Sequence, residues 1–190
     1  MQTYQSLLET PPGYASERIA RFLWQLDEQS RRLLEDVHDI RPDELGWQPA
    51  PGMNTIGMLL AHIGYAEAHI AQVGLLGEAT GHAHDVVGIT DADEGMPLAA
   101  GASPPAALQG KDLIFFDEIL WRARNHTRKV AVPLVDADLE RIVTRARPDG
   151  TRRVFNVGWV FYHMLEHEAG HQGQIVLLRH LYRLRQGADG

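Results

Sequence analysis

The sequence contains no cysteine, and this absence excludes several classes of protein at once. Disulfide frameworks, thiolate zinc sites, iron–sulfur clusters and cysteine nucleophiles all need a residue that the chain does not have. Histidine, by contrast, occurs ten times among the 190 residues. Any metal ion bound by this chain must therefore be held by imidazole and carboxylate groups.

The sequence also lacks a long apolar run and an excess of basic residues. The least polar segment, residues 56–76, is interrupted by His62, Glu67, His69 and Gln72, whereas a transmembrane helix needs about 20 nearly uninterrupted apolar residues. The N-terminus has no basic region followed by an apolar stretch, so it does not resemble a secretory signal. Lysine and arginine number 18 against 25 acidic residues, and the net charge of −7 disfavours binding to nucleic acid. We therefore expect a cytoplasmic protein that binds neither a membrane nor nucleic acid.

Four stretches of the chain have the i, i+3, i+4 spacing of apolar residues that is typical of amphipathic helices. They run over about residues 16–40, 54–76, 112–134 and 157–186. Ser16 and Asn54 are the predicted N-caps of the first two helices. With 44% hydrophobic and 23% charged residues, the chain has the composition of an ordinary globular protein. The sequence thus predicts one all-α domain over residues 1–190, folded as a four-helix bundle.

Two connections between these helices are informative. Residues 77–110 have neither a helical nor a strand period, and such a long connection often serves as a mobile loop or a functional lid. Short alternating runs on either side of Pro148-Asp149-Gly150 predict a small hairpin or an extended segment before the fourth helix. We interpret the arginines around this turn as a solvated face rather than a nucleic-acid site: Arg141, Arg145, Arg147, Arg152 and Arg153.

The fourth helix contains three histidines at intervals of four residues, His163, His167 and His171. Because an α-helix turns by about 100° per residue, the three imidazoles share one stripe, one turn apart. Imidazoles at i and i+4 can reach the same metal ion. A single histidine on an apolar face is usually a hydrogen-bonded core residue, but stacking three without a cation is costly. The spacing predicts a metal site, and the alternative is a hydrated polar seam.

Residues 167–171 also match the H-E-x-x-H pattern of zinc proteases, in which the glutamate is the general base. A protease is disfavoured because no suitable third ligand follows His171 in the short remainder of the chain. The third ligand must come from upstream, where His62, at the edge of the apolar face of the second helix, is the best candidate. The other histidines are interpreted as residues without a metal role: His69 as a partly solvated helix residue, His82, His84 and His126 as solvent-facing, and His38 and His180 as residues near helix ends.

Two sequence motifs occur in this chain in combination. The first is Trp47-x-Pro49 followed by Asn54-Thr-Ile-Gly-x-Leu-Leu-x-His62-Ile, and the second is His163-x-x-Glu-His167-Glu-x-x-His171-x-Gly173-Gln174-Ile175. In combination they resemble the DinB-like (damage-inducible) family of helical bundles, over about residues 16–186. The resemblance implies an up-down-down-up topology and a metal site with the ligands His62, His167 and His171. The long 77–110 insertion departs from the shortest members of the family.

Three neutral imidazoles leave a coordination position for water or for a thiol, as in catalytic zinc sites. Glu168 or Glu166 is a candidate proton acceptor, and Gln174 is a candidate for orienting substrate or metal-bound water. The plainer alternatives are a solvated carboxylate for each glutamate and core packing for Gln174. His163 is ambiguous, because as a fourth ligand it would close the site. Imidazole suits several metals, so we expect zinc or nickel first, with iron or manganese as alternatives.

Known members of the DinB-like family include metal-dependent hydrolases and enzymes that use low-molecular-weight bacterial thiols, and similar proteins are often homodimers. The resemblance therefore implies a metal-dependent hydrolase or a thiol-dependent S-transferase that acts on a small molecule. Because the chain has no cysteine, any reacting sulfur must arrive with the substrate. The alternative is a non-catalytic protein that binds a metal or a small ligand in a stress response.

Overall fold

Helices form most of the computed structural model, which describes residues 7–96, 98–146 and 149–188. In chain order they are α1 (Glu17–Val37), α2 (Pro42–Leu45), α3 (Ile56–Ile70), α4 (Ala83–Val87), α5 (Asp91–Glu94), α6 (Leu113–Ala131) and α7 (Val157–Ala188). A π-helical segment, Ala71–Leu76, continues α3. Two 3-10 turns, Ala106–Leu108 and Asp136–Glu140, lie in the connections. The four long helices α1, α3, α6 and α7 confirm the predicted all-α fold.

The ends of the first two long helices follow local capping chemistry. Ser16 caps α1 as predicted, and its Oγ accepts a hydrogen bond from the Ile19 N–H at 3.1 Å. The predicted cap of the next helix, Asn54, is wrong by one residue. Thr55 is the N-cap of α3, and its Oγ1 accepts from the Met58 N–H at 3.1 Å. Both predicted helices therefore exist, and α1 begins where capping chemistry placed it.

Helices α3 and α6 pack closely against each other, and two glycines of α3 explain this close approach. A Cβ added at Gly64 would lie 2.6 Å from Cγ2 of Ile119, and one at Gly57 would lie 2.8 Å from Cζ of Phe116. Both partners on α6 are buried. The two glycines, seven residues and two turns apart, thus let α6 approach the backbone of α3.

A buried guanidinium crosses the centre of the bundle. Arg124 of α6 is only 5% exposed. Its Nε and Nη2 donate to both carboxylate oxygens of Glu67 on α3, at 2.8 and 3.0 Å. Its Nη2 also lies 3.0 Å from Oε2 of Glu168 on α7, and its Nη1 lies 3.1 Å from Oδ1 of Asp27 on α1. We call these four residues the Arg124 network, to which each long helix contributes one member.

The expectation that residues 77–110 form a structureless loop is wrong. Helices α4 and α5 and the turn at Ala106–Leu108 lie within this connection. Apolar residues of this connection pack against the bundle, since Ala83, Val87 and Leu108 are all buried. These segments are shorter than two helical turns, so periodicity along the sequence did not reveal them. The connection is therefore a packed cover of the bundle.

The hairpin predicted before the fourth helix is confirmed. Strands β1 (Ile142–Ala146) and β2 (Arg152–Asn156) pair antiparallel, with Arg145 directly opposite Arg153. The turn residue Pro148 and Arg147 lie outside the described residues. The arginines do not form one solvated face, because Arg141 and Arg145 donate to the backbone carbonyls of Leu75 and Glu78. The hairpin is thereby joined to the segment that follows α3.

A helix that crosses a bilayer is both long and apolar throughout. Over the part of the chain that the structure describes, none of the helices meets both conditions.

Candidate metal centre

Three imidazoles from two helices converge at the seam between α3 and α7. Nε2 of His62 lies 3.1 Å from Nε2 of His167, and Nε2 of His171 lies 3.2 Å from the same atom. One nitrogen of each ring lies within 4.8 Å of the others. Ligands of a tetrahedral ion with metal–nitrogen bonds of about 2.0–2.1 Å are separated by roughly 3.3 Å. Both separations from Nε2 of His167 are close to this value, so the group suits a single divalent metal ion.

Local helical geometry and helix packing together build this group. His167 and His171 are one turn apart on α7, so their side chains project from the same face. His62 comes from the middle of α3, which packs along that face. The structure brings the predicted histidine of the second long helix, His62, to the two histidines of the fourth, and their role as metal ligands stays a prediction.

A buried carboxylate that the sequence analysis did not find orients the first histidine. Oε2 of Glu94, on α5, lies 2.5 Å from Nδ1 of His62, and the glutamate is 5% exposed. A carboxylate can only accept here, so Nδ1 carries the proton and Nε2 keeps a free lone pair for a metal. Thr90-x-x-Asp93, a capping box, marks the start of α5 and is a sequence signal that could have revealed an ordered segment here.

Gln174 supplies a similar contact to another histidine. Its Oε1 accepts a hydrogen bond from Nδ1 of His171 at 3.0 Å, which again leaves Nε2 free to bind a metal. The structure thus places Gln174 beside the three-histidine group. Its predicted action on substrate or metal-bound water stays a prediction.

Burial favours the neutral form of two of these imidazoles, His167 and His171. The pKa of His167 is lowered to about 3, chiefly by burial and then by repulsion from the neighbouring His171, His62 and His163. Burial also lowers the pKa of His171. Neutral imidazole is the form that binds a metal, so these ligands need to lose no proton at physiological pH.

A family model of the DinB superfamily matches residues 25–175, a range that includes all three histidines. The chain belongs to the DinB superfamily. No match was found among curated proteins. Two observations therefore agree on the DinB-like assignment, the family match and the convergence of His62, His167 and His171 that the family motifs implied.

In this DinB-superfamily chain His163 stands apart from the three-histidine group. Its ring centroid is 6.1 Å from that of His167, and it stacks on Trp159 at 4.4 Å. Its Nδ1 is 2.8 Å from Oε1 of Glu166, and this hydrogen bond is the main cause of the lowered pKa of that carboxyl. Within the described residues, the group that could hold a metal contains three histidines and not four. Three histidine ligands would leave one coordination position of a tetrahedral metal ion free for another molecule.

Glu168, the other predicted catalytic residue of the DinB-like site, belongs to the Arg124 network. It is 2% exposed, and its Oε1 accepts a hydrogen bond from Oγ of Ser30 at 2.7 Å. Burial raises its pKa to about 7, although the charge of Arg124 opposes this rise. Since successive helical residues point about 100° apart, Glu168 faces the bundle centre while His167 faces α3. Its role as proton acceptor stays a prediction.

The remaining histidines lie outside the three-histidine group of this DinB-like bundle. His69 is half-buried on α3, and burial lowers its pKa. The expectation that His126 faces solvent is wrong, because it is half-buried on α6 and burial likewise lowers its pKa. The other four histidines of this set are exposed: His38, His82, His84 and His180.

Proposed function

We propose that this DinB-superfamily chain is a metal-dependent enzyme in which His62, His167 and His171 hold a divalent metal ion. The observation that carries the proposal is the convergence of three Nε2 atoms, two of them on rings whose Nδ1 is held by Glu94 or Gln174. Zinc or nickel is the expected metal, and iron or manganese are the alternatives. The three imidazoles suit such an ion, because burial favours the neutral form of His167 and His171 and both Nε2 separations from His167 are close to those of tetrahedral ligands.

The reaction that we propose is hydrolysis of a small molecule or transfer of a small thiol to it. When bound, the metal supplies Lewis acidity that lowers the pKa of water or of a thiol. Glu94 and Gln174 keep two ligand rings in the required orientation, and the hydrogen-bonded pair of Glu166 and His163 lies one turn away. We propose that this pair accepts a proton from a bound molecule, because Glu168, the other candidate, is enclosed in the Arg124 network.

Three finer features belong to this proposal through the family resemblance. They are the up-down-down-up order of the four long helices, a low-molecular-weight thiol as co-substrate and association into a homodimer. The thiol would bring its own sulfur, because the chain has no cysteine.

Metal analysis tests the proposal directly. The protein is purified without a histidine tag or nickel column, and its metal content is measured by mass spectrometry. The variants His62→Ala, His167→Ala and His171→Ala should each lose most of the metal. His69→Ala is the matched control, since it removes an imidazole from the same helix α3 but from outside the group. A wild-type protein with less than about a tenth of an equivalent of any divalent metal would refute the proposal.

Activity assays then separate enzyme from binder. The metal-loaded protein is incubated with low-molecular-weight thiols and electrophiles, and separately with simple esters. Turnover that a chelator abolishes and added metal restores is the expected result. Full metal occupancy without turnover would instead favour the second candidate, a non-catalytic metal-binding protein of a stress response.

A further inference from the structure

A cavity of about 240 Å³ opens next to the metal centre, between α3, α7 and the hairpin. The residues that matter for its chemistry are His69, Val73, Arg145, Arg153, Trp159 and His163. His163 joins the two places, because it lines the cavity and its ring centroid is 6.1 Å from that of His167. The cavity therefore lies along the same helix seam as the three histidines, one to two turns closer to the N-terminus of α7.

Two arginines bring positive charge to this cavity at an energetic cost. Arg145 and Arg153 face each other directly in the register of β1 and β2. Like charges in directly opposed positions destabilise a pair of strands. Arg145 donates to the backbone carbonyl of Glu78 at 2.6 Å, and Arg153 lies over the ring of Trp159 at 4.4 Å. Among the residues with described positions, neither guanidinium is in direct ion-pair contact with a carboxylate, although Arg153 is close enough to Glu166 for its charge to contribute to the lowered pKa of that carboxyl.

The walls of the cavity combine these charges with apolar surface. Trp159, Phe155 and Val73 form apolar parts of the lining. His69 also lines it, and its pKa is lowered by burial and then by the charge of Arg145, so it brings no positive charge of its own. Guanidinium groups bind carboxylates and phosphates in a bidentate manner. The cavity thus offers cationic donors beside an aromatic wall.

We propose that this cavity is an anion subsite that binds the carboxylate or phosphate end of a small-molecule substrate. The proposal rests on the proposed function, because the reacting end of the same molecule would lie at the three histidines. From Trp159 to His167 is eight residues, or about 12 Å along the helix. The substrate class is therefore an anionic, partly apolar molecule about that long. A cavity of about 240 Å³ with two arginines fits such a group better than the extended backbone of a nucleic acid.

Binding of simple anions to the metal-loaded protein tests the subsite. The probes are phenyl phosphate, 4-phenylbutyrate and the neutral 4-phenylbutanol, measured by calorimetry at low salt. Arg153→Gln should weaken binding of both anions by about 10–100-fold, the equivalent of one charge-assisted hydrogen-bonding group. Arg152→Gln is the matched control, because Arg152 is the preceding exposed residue of β2 and its side chain points to the opposite face. It should change binding less than about twofold, and the alcohol should bind weakly to every variant.

Thermal melting of the same samples gives a second readout that does not depend on turnover. Without anion, Arg153→Gln should melt at the same temperature as the wild type or higher, because the like-charge pair is gone. Phenyl phosphate should raise the melting temperature of the wild type and of Arg152→Gln, but not that of Arg153→Gln.

Three results would refute the anion subsite. The first is equal affinity of the wild type and Arg153→Gln for phenyl phosphate, and the second is an equal loss of anion affinity in Arg152→Gln and Arg153→Gln. The third is an affinity for the alcohol as high as that for the anions. Tighter binding of a short oligonucleotide than of phenyl phosphate, lost in Arg153→Gln, would assign the arginines to nucleic acid instead. Metal content is measured on every sample, so a chain that binds the anions but no metal would refute the proposed function and leave the subsite intact.

Discussion

Glu94 is the residue through which the connection between α3 and α6 contacts the three-histidine group, and its replacement by alanine tests whether it supports metal binding there. The carboxylate is 5% exposed and lies 2.5 Å from Nδ1 of His62. A buried hydrogen bond to a charged group contributes about 1.5–3 kcal/mol. Since about 1.4 kcal/mol is a factor of ten in affinity, Glu94→Ala should weaken metal binding by about 10–100-fold. The three ligands themselves are unchanged in this variant.

The assay is a competitive titration of zinc against a chromogenic chelator, with folding checked by circular dichroism. Glu94→Gln should give an intermediate affinity, because its amide oxygen still accepts from Nδ1–H but carries no charge. Asp93→Ala is the control, since it removes the capping box of α5 without removing the contact to His62. A folded Glu94→Ala variant with wild-type affinity would refute the reasoning. An equal loss in Asp93→Ala would attribute the effect to the placement of α5 and not to the carboxylate.

Two further predictions concern the stability of the bundle, measured by urea unfolding. Arg124→Met should destabilise the fold by about 3–5 kcal/mol, because it leaves the buried carboxylates of Glu67 and Glu168 without their cation. The control is Arg122→Met, on the exposed face of the same helix, which should change the free energy of unfolding by less than about 0.5 kcal/mol. Equal effects of the two substitutions would contradict the prediction. Gly64→Ala should destabilise by about 1–3 kcal/mol, because its Cβ would lie 2.6 Å from Cγ2 of Ile119. Gly170→Ala, with nothing within 4 Å of its Cβ, should instead stabilise α7 by about 0.5–1 kcal/mol. An unchanged free energy of unfolding in Gly64→Ala would show that α6 can move to accommodate the added methyl group.

The three-histidine group was largely predictable, because two of its members follow from local helical geometry and the third lies on the apolar side of another helix. The placement of His167 and His171 on one face follows from the pitch of a helix, and His62 follows from its position on the apolar face of a second helix. Glu94 was not predictable in this way. It reaches His62 across 32 residues from a helix of four residues, and so short a helix leaves no periodic pattern.

The surroundings of Glu168 show a different limit of sequence reasoning. Its angle on the helix relative to His167 is known from the sequence alone, but its neighbour is not. Whether that face meets solvent, substrate or a cation depends on α6, which brings Arg124 to 3.0 Å. Helix ends show the same limit on a smaller scale. Asn54 and Thr55 are both good caps, and only the path of the backbone decides which side chain meets an N–H of the first turn.

The Arg124 network has a consequence for how the bundle unfolds. Its four members come one each from α1, α3, α6 and α7, so no set of three helices satisfies every charge. A partly assembled bundle that lacks one helix would expose the guanidinium to solvent or leave a buried carboxylate without its cation. A buried unpaired charge raises the free energy of such a state. Intermediates with one helix detached are therefore less stable relative to the folded and the unfolded state. We expect the four helices to dissociate together, as one cooperative unit.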